Sequence, residues 1–184
     1  MRISISGSHC SGKSTLIEAF IESHPLYHYE PEVYELLDES FAAQPSAEDF
    51  FRQLECHVQR WQEYRSDARV IIERSPVDYL AYLKALILLR NDNFAPYLLD
   101  KSVRLVRTAI HSIDAIVFLS TRDVRTFVPD EEDLELRSTV NELLESILLD
   151  DELDLFSSGN IQVVDGCGTL GERLQVLERV IQQR

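Results

Sequence analysis

Short apolar runs alternate with longer amphipathic segments along the chain. Five runs of four to seven residues are rich in β-branched or aromatic side chains, which is typical of strands buried in a sheet. These runs cover residues 2–6, 26–30, 69–73, 114–120 and 161–164. The pattern therefore predicts five short strands.

The segments between these runs carry apolar residues at helical spacing. Leu16, Ile17 and Phe20 fall on one face near the N-terminus, and Leu174 and Leu177 belong to a single apolar stripe near the C-terminus. The predicted helices cover residues 14–22, 47–64, 77–90, 97–112 and 169–183. Strands that alternate with helices predict a doubly wound α/β fold, in which helices on both faces of a five-stranded parallel sheet make three layers.

Length and composition point to a single domain. The chain has 184 residues, of which 45% are hydrophobic and 27% are charged, and it contains no repeat or Gly/Ser linker, so we expect one domain over residues 1–184. No apolar run reaches the ~18 residues that a membrane span needs. The N-terminus lacks an apolar signal region, so we expect a cytoplasmic protein. The three cysteines show neither a disulfide framework nor paired metal spacing.

The charge of the chain is strongly acidic and unevenly distributed. A formal net charge of −14 repels polymeric nucleic acid and anionic membranes, so we expect neither as a partner. Residues 130–154 hold eleven acids and one base, which gives this stretch a net charge of −10. A run of this kind is usually a solvated helix face, although a partner surface and a mobile lid are open alternatives.

The most informative motif follows the first predicted strand. Its sequence GSHCSGKST matches G-x-x-x-x-G-K-[ST] at every fixed position, between a predicted strand and a predicted amphipathic helix. Backbone amides of such a loop and the positive end of the helix bind phosphate oxygens. The residues expected to bind nucleotide here are Gly7, Ser8, His9, Cys10, Ser11, Gly12, Lys13, Ser14 and Thr15.

Individual side chains of this loop have different expected roles. Lys13 provides a charge for the β- and γ-phosphates, and the hydroxyl of Ser14 is suited to Mg²⁺. His9 is compatible with contact to the γ-phosphate or the acceptor, and equally with a solvated position. Cys10 is interpreted as a small filler without a redox role. No Asn/Thr-Lys-x-Asp motif for guanine is present, which favours ATP over GTP.

An acid and an arginine end the third predicted strand. Glu73 is placed beside the phosphate loop, where a carboxylate can hold Mg²⁺ or accept a proton, and Arg74 can bind a phosphate or the transferred group. The alternative interpretation is a surface ion pair at the end of a strand. Both residues are therefore candidates for catalysis, and Glu73 is also a candidate metal ligand with Ser14.

These motifs carry a family resemblance. The phosphate loop, together with Glu73-Arg74-Ser75 and the following Asp78-Tyr79-x-x-Tyr82, resembles the P-loop small-molecule kinases. The groups that it resembles are the deoxynucleoside kinases, the thymidylate-kinase-like proteins and the ribosylnicotinamide-kinase-like ATPases. The resemblance implies a P-loop NTPase fold and ATP- and Mg²⁺-dependent phosphoryl transfer to a small-molecule acceptor, either a nucleoside or nucleotide or ribosylnicotinamide.

The resemblance extends to a second acidic motif. Glu30-Pro31-Glu32-Val33 is similar to the Glu-Pro-Val of deoxynucleoside kinases, whose glutamate accepts the proton of the acceptor hydroxyl. Glu30 matches if the Glu-Pro pair is the anchor, and Glu32 matches the Pro-Glu of ribosylnicotinamide-kinase-like proteins. The sequence leaves both open as the base, and an acidic turn without a chemical role is the alternative.

The kinase resemblance also implies a lid and an adenine-binding loop. The lid covers residues 121–155, and its arginines, for which Arg122, Arg125 and Arg137 are the candidates, close on ATP. Gly166 lies in a loop that resembles the border of the adenine site, although a plain strand-to-helix turn explains this glycine equally well.

The acceptor is expected between the helices of residues 35–64 and 77–90. Aromatic and polar side chains available there, many of which could equally be core, are Tyr34, Phe50, Phe51, Gln53, His57, Trp61, Tyr79 and Tyr82. A second hypothesis is a nucleotide-binding ATPase or GTPase module that acts through a protein partner. The acidic stretch within the predicted lid and the apolar helix over residues 77–90 favour that hypothesis, and the helix could form a homodimer face.

Overall fold

A computed structural model describes residues 1–33, 46–90, 95–121, 129, 132–157 and 161–183. The strands are β1 (Arg2–Ser6), β2 (His28–Glu30), β3 (Val70–Glu73), β4 (Ala115–Phe118) and β5 (Gln162–Asp165). The helices are α1 (Lys13–Ser23), α2 (Ala47–Glu63), α3 (Pro76–Arg90), α4 (Ala95–Ile110), α5 (Leu134–Leu148) and α6 (Leu170–Gln182). Among the described helices, none combines the length and the apolar character that crossing a membrane requires.

The five strands form one parallel sheet in the order β2-β3-β1-β4-β5. β1 lies at the centre, and the register places Ile5 opposite Glu73 on β3 and Ser6 opposite Phe118 on β4. The carboxyl ends of these three strands therefore meet at one edge, where ligands bind in open parallel sheets. The predicted fold class, a doubly wound α/β domain with a five-stranded parallel sheet, is confirmed.

Two hydrophobic cores cover the two faces of the sheet. On one face, Ile3 and Ile5 of β1 pack with Leu16 of α1 and Leu177 of α6. The opposite core joins residues of β3 and β4 to α2, α3, α4 and α5. Strands that bury both faces need apolar side chains in both directions, which explains the continuous apolar run of β3.

β1 departs from that rule at Ser4 and Ser6. Both are fully buried, and they face the core opposite to that of Ile3 and Ile5. The hydroxyl of Ser4 donates to the carbonyl of Arg74 at 2.7 Å, and that of Ser6 donates to Asp78 Oδ2 at 2.6 Å. These serines therefore connect β1 to the beginning of α3 by hydrogen bonds.

α3 is apolar around most of its circumference because other helices surround it. Its residues from Val77 to Ala85 are buried except Lys84, and α2, α4 and α5 all pack against it. Only its last turns are exposed, with Leu88 at 66%. The apolar composition of residues 77–90 therefore reflects burial within this chain over most of the helix.

α5 lies inside the stretch for which the sequence predicted a lid. Asp133 caps the helix by accepting from the amide of Leu136 at 3.0 Å, and Val140, Leu144 and Ile147 are buried against the core. The helix has a continuous apolar stripe. Because acidic residues surround this stripe, the overall composition of the stretch does not indicate a packed helix. Part of the predicted lid is thus a helix packed on α3.

Candidate active site

The phosphate loop connects β1 to α1 and is shaped by two glycines. A Cβ on Gly7 would lie 2.5 Å from Ser11 Oγ and 3.0 Å from the carbonyl oxygen of Leu119, so no side chain fits there. Gly12 precedes α1 with a φ of 89°, a left-handed conformation that favours glycine. Among the residues that the structure describes, no side chain caps α1, so the amides of its first turn are available for an anion.

Lys13 lies buried within the loop. Its Nζ donates to the carbonyl oxygen of Ser8 at 3.1 Å and lies 4.0 Å from Glu73 Oε1. Burial lowers the pKa of Lys13, and the charge of Arg74 lowers it further, while nearby carboxylates oppose both effects. The ammonium group is therefore held at the loop, where phosphate oxygens would replace a backbone carbonyl as its partner.

Glu73 brings the two predicted metal ligands together. The hydroxyl of Ser14 donates to Glu73 Oε1 at 3.1 Å, and the hydroxyl of Tyr29 donates to Oε2 at 2.8 Å. Because β1 and β3 are neighbours in register, the end of β3 reaches the start of α1. A hydroxyl and a carboxylate are the oxygen donors that Mg²⁺ prefers, so these residues fit that ion.

Arg74 turns the chain out of β3 in a left-handed conformation, with a φ of 68°. Its buried guanidinium forms an ion pair with Glu32 and lies 5.0 Å above the ring of Tyr82. Burial by itself would lower the pKa of Arg74, but Glu32 and the other groups around it hold that pKa well above its usual value. The guanidinium is therefore held inside the site.

Asp78, for which the sequence suggested no role, links α3 to the phosphate loop. It is completely buried and accepts from Ser6 Oγ at 2.6 Å, from the amide of Gly7 at 2.9 Å and from both the amide and the hydroxyl of Ser75. Four hydrogen bonds satisfy this buried carboxylate. The sequence feature that could have indicated Asp78 is its position as an acid in the first turn of an otherwise apolar helix.

Glu30 and Glu32 occupy different environments. The carboxylate of Glu30 pairs with Arg60 and accepts from the hydroxyl of Tyr64 at 2.5 Å, and both partners lie on or just after α2. Glu32 instead pairs with Arg74. Burial would raise the pKa of Glu32, but the charges of Arg74 and Lys13 hold it below its usual value. Glu32 is therefore the acid that faces the phosphate-loop side.

α5 contributes one predicted lid arginine to the loop. Arg137 Nε donates to the carbonyl oxygen of His9 at 2.9 Å, and its terminal nitrogen lies 3.5 Å from the carbonyl oxygen of Cys10. The ring of His9 also pairs with Glu132, just before the cap of α5. Arg122 and Arg125 lie outside the described residues.

Arg173 on α6 is a second residue that the sequence reasoning missed. Its guanidinium donates to the carbonyl oxygen of Ser11 at 2.6 Å and lies 3.4 Å from that of Ser120. Arg173 is buried beside Val176 and Leu177. The sequence feature that could have indicated it is the position of an arginine on an apolar helix stripe. Gly166 follows β5, and its amide donates to the carbonyl oxygen of Phe118 at 2.8 Å.

Aromatic and polar side chains of α2 and α3 face each other beside Arg74. Phe50 and Tyr82 stack with ring centroids 4.5 Å apart, and the ring of His57 lies 6.2 Å from that of Trp61 and 5.3 Å from that of Tyr79. Three buried polar atoms of these two helices have no hydrogen-bond partner among the described residues, namely His57 Nε2, Trp61 Nε1 and the hydroxyl of Tyr79. Tyr34 lies outside the described residues, and Phe51 contacts Lys101.

Fold and site together define a P-loop nucleotide-binding protein of the α/β class. A family model described as AAA domain matches residues 2–156. The chain therefore belongs to the AAA domain family. No curated protein matches the sequence significantly.

Solved kinase structures share the fold at low sequence identity. Deoxyadenosine kinase from M. mycoides with bound dATP matches with a TM-score of 0.63 and 16% identity over 98% of this chain and 99% of that one. Thymidylate kinase from Candida albicans matches with a TM-score of 0.62 and 16% identity over 98% of this chain and 90% of that one. The predicted resemblance to deoxynucleoside and thymidylate kinases is confirmed at the level of the fold.

Proposed function

We propose that the protein is a kinase that transfers the γ-phosphoryl group of ATP to a hydroxyl of a nucleoside-like small molecule. The observation that carries this proposal is the convergence of Lys13, Glu73, Arg74 and Glu32 at the carboxyl ends of β1 and β3. Two cations and two carboxylates that meet at one edge of the sheet suit phosphoryl transfer, because catalysis of that reaction comes from positioning and charge stabilisation.

The phosphate loop and β3 hold the triphosphate end in this proposal. Loop amides and Lys13 bind the phosphates, and Arg137 keeps the loop carbonyls of His9 and Cys10 turned toward α5. Ser14 and Glu73 hold Mg²⁺, which supplies charge neutralisation at the phosphates when bound. Arg122, Arg125 and Gly166 remain candidates for closing over the nucleotide and bordering its adenine.

Glu32 is the base of the proposed reaction. Its lowered pKa keeps it ionised at neutral pH, and it lies next to Arg74, the group that we assign to the transferred phosphoryl. Glu32 can accept the hydroxyl proton only when Arg74 releases it and binds phosphate oxygens instead. We assign Glu30 a structural role, because its carboxylate accepts hydrogen bonds from Arg60 and Tyr64.

The region between α2 and α3 around Phe50 and Tyr82 is the proposed acceptor site. Polar atoms of His57 and Tyr79, which have no hydrogen-bond partner in the described part of the chain, lie close enough to Glu32 and Arg74 to be influenced by their charges. A flat base with polar edges could satisfy them and stack on the aromatic rings. The structural neighbours named for deoxyadenosine and thymidylate support a nucleoside or nucleotide, and ribosylnicotinamide has the same combination of ring and hydroxyl.

A coupled ADP-release assay tests the proposal. Nucleosides, nucleoside monophosphates and ribosylnicotinamide are each supplied with ATP and Mg²⁺, and we expect turnover that depends on one acceptor. Lys13→Ala should abolish that turnover while circular dichroism and the melting temperature show a folded protein. Arg65→Ala is a matched control, because its ion pair with Asp67 is exposed. The absence of acceptor-stimulated turnover across the panel would refute a nucleoside-like acceptor.

A further inference from the structure

Three side chains with different metal-binding donors meet at the outer side of the phosphate loop. One ligand atom each of His9, Cys10 and Glu132 lies within 4.8 Å of the other two. Cys10 Sγ is 3.7 Å from His9 Nδ1, and that nitrogen also contacts the carboxylate of Glu132. Within the described part of the chain, this is the one such group of three.

The three donors come from two segments that the fold fixes next to each other. His9 and Cys10 belong to the loop between β1 and α1, whereas Glu132 precedes Asp133, the cap of α5. Arg137 binds the carbonyl oxygens of both loop residues and so holds the loop against α5. Cys10 has a left-handed backbone with a φ of 54°, which is uncommon for a residue with a side chain.

We propose that His9, Cys10 and Glu132 form a binding site for Zn²⁺ or a chemically similar borderline-soft divalent ion. Imidazole nitrogen, thiolate sulfur and carboxylate oxygen are the three donor types of zinc sites, and three protein ligands leave a fourth position for water. Mg²⁺ takes oxygen ligands and does not select a thiolate. The site is therefore chemically distinct from the pair Ser14 and Glu73.

The charges around the site are compatible with a divalent ion. On binding, the Cys10 thiol releases its proton to solvent, and the resulting thiolate and the Glu132 carboxylate together neutralise the 2+ charge. The occupied site is therefore neutral overall beside the guanidinium of Arg137. An ion bound there connects the start of α5 to the phosphate loop, and it stabilises the folded chain because the three donors are brought together only by folding. This inference does not depend on the proposed kinase activity.

Titration of the metal-free, reduced full-length chain with Co²⁺ tests the site. Thiolate ligation gives a near-ultraviolet charge-transfer band, and tetrahedral geometry gives intense visible bands; Zn²⁺ added afterwards should remove both. We expect Cys10→Ser to abolish the charge-transfer band. Glu132→Gln should weaken Co²⁺ binding at least about 10-fold, the lower limit seen when even an outer-shell partner is lost.

Two control variants separate this site from other candidates. Cys167→Ser removes an exposed thiol and should leave the band unchanged. Glu73→Gln alters the proposed Mg²⁺ site and should also leave it unchanged. Because Cys10 lies in the phosphate loop, the melting temperature without metal checks that its variant folds, and Glu132→Gln tests the site from outside the loop. A wild-type chain without the band, or a band that survives Cys10→Ser, would overturn the proposal.

Discussion

The guanidinium of Arg74 and the carboxylate of Glu32 form an ion pair that is nearly withdrawn from water, with side-chain exposures of 5% and 15%. The pair joins the residue that follows β3 to the segment after β2. Each charge is stabilised by the other, so a ligand that binds Arg74 also changes the environment of Glu32. This relationship couples the proposed phosphate-binding group to the proposed base.

The two neighbouring glutamates should respond differently to substitution. Glu32→Gln removes the proposed base, so we expect kcat to fall by roughly 10²–10⁴-fold, the usual contribution of general base catalysis. Glu30→Gln should leave kcat nearly unchanged and lower the melting temperature, because its partners Arg60 and Tyr64 are structural. Steady-state kinetics and thermal melts of both variants are the measurements. An equal fall of kcat in both would contradict the assignment.

Asp78→Ala should destabilise the fold. The variant leaves the amide of Gly7 and the hydroxyls of Ser6 and Ser75 without their buried acceptor. We expect the free energy of unfolding to fall by about 3–5 kcal/mol, as in other cases where a buried charged partner is removed. Urea denaturation measures the change. In the control Asp100→Ala, which loses an exposed ion pair with Arg104, the change should stay below about 0.5 kcal/mol.

Arg173→Met should weaken nucleotide binding indirectly, through the phosphate loop and not through a contact with the nucleotide. The variant frees the carbonyl of Ser11, so the loop loses a restraint that keeps its amides in place. We expect the Kd for ATP to rise about 10-fold, which corresponds to about 1.4 kcal/mol. Calorimetric titration measures the Kd, and Arg179→Met is the control, because Arg179 lies exposed on the same helix. Unchanged affinity in Arg173→Met would show that the loop holds its shape without this arginine.

Burial of His57 should make stability depend on pH. Burial lowers the pKa of His57 from 6.5 to about 3; the charge of Glu32 opposes this effect, and that of Arg74 adds to it. Below pH 6.5, His57 binds a proton in the unfolded chain but not in the folded chain. The free energy of unfolding therefore falls as the pH falls toward 3. From pH 6.5 to 5 the loss should be about 1.5 kcal/mol.

Urea denaturation at several pH values checks this effect. His57→Gln should remove this part of the pH dependence, whereas His111→Gln, at an exposed position, should retain it. The window above pH 5 separates His57 from Glu32, whose lowered pKa affects stability only at more acidic pH. Identical slopes in wild type and His57→Gln would contradict a neutral buried imidazole.

Local patterns were sufficient for most of the fold. The five strands, the phosphate loop and the helices that flank it follow from β-branched runs, two loop glycines and apolar periodicity, which are encoded by residues close together in the chain. The structure places the predicted strand 114–120 at Ala115–Phe118 and the predicted helix 97–112 at Ala95–Ile110. The pattern does not predict α5, because the acids around its apolar stripe also fit a lid.

The sequence by itself determined which residues could act chemically: the loop with Lys13 and Ser14, the couple Glu73-Arg74, and two possible bases. Only the tertiary structure decided that Glu32 faces Arg74 while Glu30 faces α2, and that Asp78 and Arg173 hold the phosphate loop. The physical reason is that these contacts join residues far apart in the chain. Their partners depend on the order and register of the strands and on helix packing, which no local pattern specifies.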